Sequence, residues 1–140
     1  MPFKFVEDIA IADVAFEATG KDLNELFQSA AQAVIESLAN PKTVKAVIVK
    51  KIKKKEKTVD KLLFEFLEEI VYLKDKDAIV FTDVKVNVDE KKMEVTAMLT
   101  GDAIKPEEQE LHQDVKAVTM HYYLVEKKKD KWKTVVVLDI

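Results

Sequence analysis

The sequence predicts an α+β domain in which two amphipathic helices pack on a largely antiparallel or mixed β-sheet built from hairpins. Three observations carry that prediction. Two segments repeat their apolar residues every three or four positions over several turns, a spacing that gathers them on one face of a helix. Most of the remaining chain alternates apolar and polar residues, joined by short charged turns, the pattern of hairpins. Finally, 140 residues with 48% hydrophobic and 35% charged composition suffice for one core under a soluble surface. No linker or internal repeat interrupts the chain, so residues 1–140 read as a single domain.

In chain order, Ala12–Ala18 reads as a first strand, and Gly20 suits the turn that follows it. From Leu23 an apolar stripe runs through Leu26, Phe27, Ala30, Ala31, Val34, Ile35 and Leu38. Asp22 is a suitable N-cap with Glu25 as its capping-box partner, and Asn40-Pro41 ends the helix. Val44–Ile52 reads as the next strand. A second stripe, Val59, Leu62, Leu63, Phe66, Leu67, Ile70 and Val71, follows Thr58 as its expected cap. Each stripe is wide enough for a helix that lies on a sheet by one face. Val84, Val86 and Val88 alternate with polar residues, turn at Glu90-Lys91, and are answered by Met93, Val95, Ala97 and Leu99. Val115–Val125 and Trp132–Leu138 form a last hairpin around the lysine-rich turn Lys127–Lys131. The order is β–α–β–α followed by four strands.

Composition excludes several function classes. Only Gly20 and Gly101 are glycine, so no P-loop or dinucleotide fingerprint exists and no nucleotide site is expected. All 23 basic residues are lysine, which removes bidentate guanidinium recognition and arginine fingers. Absence of cysteine removes disulfides, zinc ribbons and thiol nucleophiles. The net charge of −3 is not that of a globally basic nucleic-acid binder. Neither a signal peptide nor a membrane-length apolar run is present, which points to a cytoplasmic protein without membrane contact. His112 and His121 are the two histidines, without metal-ligand spacing, and Ser29 and Ser37 lack an elbow motif. The residues point away from an enzyme.

Three features remain as binding candidates. His121 shares a strand with Lys116 and Thr119; strict alternation would put Ala117, Thr119, His121 and Tyr123 on one face. A histidine packed beside tyrosines at a sheet edge is the plain interpretation, a partner contact the sharper one. The cluster Lys50, Lys51, Lys53, Lys54, Lys55 and Lys57 could steer an anionic partner, although lysines that blunt a strand end explain it as well. Asp13 and Asp139 are hard oxygen donors at strand ends. Spacing alone does not pair them, and two solvated aspartates would be the simpler account.

The segment Asp114–His121, with the hairpin that ends Val137-Leu138-Asp139-Ile140, resembles the archease family, whose corresponding run is E-V-K-A-hydrophobic-T-aromatic-H and whose chains end in aspartate plus an aliphatic residue. Ala12–Phe16, Gly20–Ala33, Leu62–Glu69 and Gly101-Asp102 continue the likeness in order along nearly the whole chain. The resemblance implies an archease-like fold and a non-enzymatic role as protein cofactor of the RtcB-type tRNA-splicing ligase. Such a cofactor promotes guanylylation and multiple turnover of the ligase in tRNA processing and broadens its nucleotide use, and it meets RNA only through the ligase. The resemblance also implies a divalent cation, typically Ca²⁺, held by Asp13, Asp139 and the oxygens of Ile140, with Lys116 and His121 as partner-contact candidates. It further implies that the two ends of the chain meet in one sheet. The chain departs from the family pattern at Ala10-Ile11, where many members carry His-Thr, at Gln109, where many carry histidine, and at Met120, where an aromatic is usual. Two readings stay beside this one: a lysine-patch RNA- or protein-binding module without ligase activation, and a small metal-dependent hydrolase, which would lack a general base beside the metal.

Overall fold

A computed structural model describes residues 3–6 and 13–140. The chain runs β1 (Phe3–Val6), β2 (Asp13–Gly20), α1 (Leu23–Leu38), one turn of 3-10 helix (Pro41–Thr43), β3 (Ile48–Lys55), α2 (Val59–Asp77), β4 (Ile79–Asp89), β5 (Glu94–Ala103), β6 (Ala117–Lys128) and β7 (Lys131–Asp139). The short strand β1 is additional to the elements expected from the sequence. Ala12, the expected first residue of the next strand, lies outside the described residues, as do Ala10 and Ile11.

The strands form two antiparallel sheets, ordered β1-β2-β7-β6 and β3-β5-β4. Helix α1 starts as its sequence requires: the Asp22 carboxylate accepts from the Glu25 amide at 2.8 Å, and Glu25 accepts from the Lys21 amide. Thr58 occupies the N-cap position of α2 but makes no side-chain capping bond. Helix α2 runs past the expected stripe to Asp77 and stops where Ala78 adopts a left-handed conformation, φ 51°.

The placement of α1 differs from expectation. It packs against β2 of one sheet and β4 of the other, and eleven of its sixteen residues are buried. Ser29, Ala33 and Ser37 widen its buried surface beyond the expected stripe, so strands approach it from more than one side. It also secures the β4 edge. Gln28 donates to the Val84 carbonyl and accepts from the Val86 amide, while Asn24 accepts from the Val88 amide at 2.6 Å. An edge that would otherwise offer unpaired backbone groups is thereby closed. Helix α2 packs on β6 and on the three strands of the smaller sheet. Phe27 of α1 stacks on Phe66 of α2, with centroids 5.8 Å apart, at the heart of the core.

The second departure lies in β6. Its pairing with β7 jumps from Thr119↔Val137 to Leu124↔Val135, so Met120, His121, Tyr122 and Tyr123 are set against Val136 alone. Strict alternation therefore fails there, and Tyr122 takes φ 57° to accommodate the extra residues.

Candidate functional site

Strand β2 opens on Asp13 and β7 closes on Asp139, and their antiparallel register sets the two aspartates directly opposite each other. Direct opposition puts both side chains on one face with Cβ atoms about 4.5–5.5 Å apart. Val14, Phe16, Val136 and Leu138 pack into the helix-facing core, so by alternation Asp13 and Asp139 lie on the opposite face. Ala117 of β6 stands on the other side of Asp139 and adds a methyl group without charge. No lysine or histidine among the described residues pairs with either carboxylate.

This arrangement suits a hard cation. Like charges directly opposed on a sheet repel, and a cation between them reverses that penalty. Carboxylate and main-chain oxygens are the donor set that Ca²⁺ and Mg²⁺ accept. Among the described residues no three or more His, Asp or Glu side chains converge. Any third ligand from those residues would therefore be a main-chain oxygen or a neutral side-chain oxygen.

The two partner-contact candidates are placed differently. Lys116 reaches the aspartate row through its backbone, its amide donating to the Asp139 carbonyl at 2.7 Å, while its side chain is exposed. His121 lies further along β6, inside the irregular segment. Its amide donates to the Thr119 hydroxyl, and its ring lies 4.3 Å from that of Tyr122. The fold thus joins Asp13, Asp139 and Lys116 at one sheet end and sets His121 apart from them, between exposed Met120 and Tyr122.

One contributing residue escaped the sequence reading. Lys74 of α2 is 5% exposed. Its ammonium donates to Asp75 at 2.5 Å, to Asp114 at 2.9 Å and to the Val115 carbonyl at 2.7 Å. Burial alone would push its pKa down; the bonds to Asp75 and Asp114 outweigh that and hold it above the ordinary lysine value. The clamp fixes the two residues that lead into Lys116 and the start of β6. The available signal was position: Leu63, Leu67, Ile70 and Lys74 continue one helical stripe.

Gln109, where the chain departs from the family pattern, and several other polar or glycine positions serve local structure. Gln109 is buried, its amide donating to the Ala103 carbonyl and its oxygen accepting from the Lys105 amide. His112 bridges the Glu36 carbonyl and the Glu110 carboxylate, each at 2.7 Å. A Cβ on Gly101 would collide with the Val80 carbonyl, which explains glycine there. Asp102 is held by Lys105 at 3.2 Å, and that bond keeps its carboxyl below the usual range. Ser37 spends its hydroxyl on the Ala33 carbonyl within α1, which suits a structural role and not nucleophilic chemistry.

Comparison with known proteins bears on the family and the fold. The model of the Archease protein family matches residues 3–140. The archease of Thermococcus kodakarensis is 32% identical over 132 residues, spanning 92% of this chain and 93% of the relative. That of Sulfurisphaera tokodaii is 30% identical over 138 residues, spanning 99% and 98%. The solution structure of a Methanobacterium thermoautotrophicum protein superposes with a TM-score of 0.84 at 33% identity, covering 99% of both chains. A Thermotoga maritima crystal structure, described as an archease and possible chaperone, has a TM-score of 0.65 at 18% identity over 94% of this chain and 93% of that one, and shares the fold.

Proposed function

The chain belongs to the archease family, and from that premise we propose that it is a protein cofactor of an RtcB-type tRNA-splicing ligase, promoting guanylylation of the ligase and its repeated turnover. The observation that supports this reading is the pairing of Asp13 with Asp139 across β2 and β7. The family's cation ligands correspond to these residues and to Ile140. A bound divalent cation, Ca²⁺ by family precedent, supplies positive charge at a point where the protein's own side chains are negative. Asp13 and Asp139 hold that position because the ladder between their strands fixes both backbones, and the Lys74 clamp steadies the approach of β6. Activation then needs no bond chemistry from this chain. It needs a surface that binds the ligase more tightly in the state that accepts the nucleotide than in the state that does not.

The experiment uses an RtcB-type ligase, GTP, Mn²⁺ and cleaved RNA in excess, with ligated products counted per ligase. Adding this protein should raise the count from about one to many. An active ligase whose count does not change would contradict the proposal.

A further inference from the structure

Five of the six lysines of residues 50–57 lie in β3 and do not act as one cluster, because the strand divides them between two faces. Lys50 pairs with Asp77 of α2 at 3.0 Å, and Lys54 with Glu69 of α2 at 3.2 Å. These two fasten the sheet to the helix. Lys51, Lys53 and Lys55 point to the other face and are exposed. On that face Lys51, Met98 and Lys85 form one row across β3, β5 and β4, and Lys53, Thr96 and Asn87 form the next.

Those two rows line a groove of about 450 Å³ on the outer face of the smaller sheet. Its walls carry three ammonium groups, Lys51, Lys53 and Lys85, and no carboxylate, while Met98 forms an apolar floor. Acidic side chains on this face stand outside the groove. Asp83 lies beyond one end and Asp89 and Glu94 beyond the other, where Glu94 stands opposite Lys55 and pairs with Lys53 at 3.9 Å, a weak contact that leaves the Lys53 ammonium largely exposed. A concentrated positive groove on a chain of net charge −3 is a local field of opposite sign to the whole.

We propose that this groove binds the phosphate backbone of single-stranded RNA. Lys51 and Lys53, alternate residues of β3, stand about 6.6 Å apart, and Lys85 flanks Met98 on the side away from Lys51, so three ammonium groups border the groove at a spacing that suits successive phosphates of a linear polyanion. The groove has no aromatic side chain for stacking and no guanidinium for base edges, so recognition is through phosphates and independent of sequence. The ligase reading gives RNA contact only through the ligase; this groove adds a direct one and stands whether or not that reading holds.

The test is fluorescence anisotropy of a labelled oligouridylate of about twelve nucleotides, with this protein alone and no ligase. Three phosphate contacts predict a slope of log K against log salt near −2, so raising salt from about 50 to about 200 mM weakens binding roughly fifteen- to twenty-fold. The combined substitution Lys51→Gln, Lys53→Gln and Lys85→Gln should bring the slope near zero and weaken low-salt binding at least about tenfold. Lys91→Gln with Lys92→Gln, in the turn of the β4–β5 hairpin beyond the groove, should change little. Unaltered melting of each variant keeps the comparison clean, since these side chains are exposed. Absence of salt-dependent binding by the parent protein, or a triple variant that keeps its slope, would overturn the proposal. So would a titration in which oligoglutamate, and not RNA, perturbs Lys51, Lys53 and Lys85, since the groove would then serve an acidic protein.

Discussion

Lys74 illustrates how one side chain ties a helix to the site. It is buried, whereas its carboxylate partners Asp75 and Asp114 have side chains 54% and 83% exposed. Lys74→Met would leave those carboxylates in water but strand the buried bond at the Val115 carbonyl. The expected loss is about 1–3 kcal/mol, read as a lower urea midpoint with unchanged slope; an unchanged midpoint would show that the clamp contributes nothing. His112 gives a pH-dependent counterpart. Bonds to the Glu36 carbonyl and then Glu110 raise its pKa above the ordinary 6.5, because a ring that donates from both nitrogens must be charged. Its contribution to stability is complete below that value and is lost as pH rises through the raised pKa. Glu110, lowered first by His112, works in the opposite sense: its share is lost as pH falls through the lowered carboxylate value. Comparing urea midpoints of the parent protein and His112→Gln, the difference should be largest on the mildly acidic side and shrink toward pH 8. A difference that grows with pH would refute the assignment. The carboxylate pair predicts a third effect: Ca²⁺ at about one hundred times its dissociation constant should stabilise the protein by about 2.7 kcal/mol, and Asp13→Asn should remove that shift.

At the scale of elements, the two helices were legible because their signals are local: a stripe, an N-cap at Asp22 and a stop at Asn40-Pro41. The hairpin β4–β5 was legible for the same reason, its alternation uninterrupted by Gly or Pro from Val84 to Leu99. Elsewhere the deciding contacts come from distant parts of the chain. The four residues of β1 are too few to show a period. The irregularity at Met120–Tyr123 breaks the alternation through its pairing with β7, which no pattern within β6 announces. The burial of α1 between partners on both sheets follows from small residues, Ser29, Ala33 and Ser37, that the apolar stripe does not include. Helix α2 ends on Ala78 in a left-handed conformation that glycine adopts without penalty. Ala78→Gly should therefore stabilise the protein by about 1 kcal/mol, measured by thermal or urea unfolding. A destabilised variant would mean that this end of the helix is not strained.

At the scale of the molecule, strand order unites distant sequence. Residues 13 and 139 stand opposite each other only because β2 and β7 are neighbours in the larger sheet. Neither composition nor spacing predicts that pairing, and the family resemblance was its only signal in the sequence. Lys116, which the resemblance offered only as a partner-contact candidate, meets Asp139 through its backbone amide and not its ammonium. No helix of the described residues is long and apolar enough to cross a membrane. The smaller sheet turns its lysine-lined groove outward, and the larger one carries the aspartate pair on the face away from its helix contacts. The two proposed roles thus have separate locations, and substitutions at one are expected to leave the other intact.

The central claim is that the aspartate pair carries activation of the ligase. Its most direct test is multiple-turnover RNA ligation supported by the parent protein, by Asp139→Asn and by Asp13→Asn, each shown to melt as a folded protein. The account predicts that both variants leave the ligase near one product per enzyme while the parent supports many. Variants that sustain the parent's turnover would contradict it.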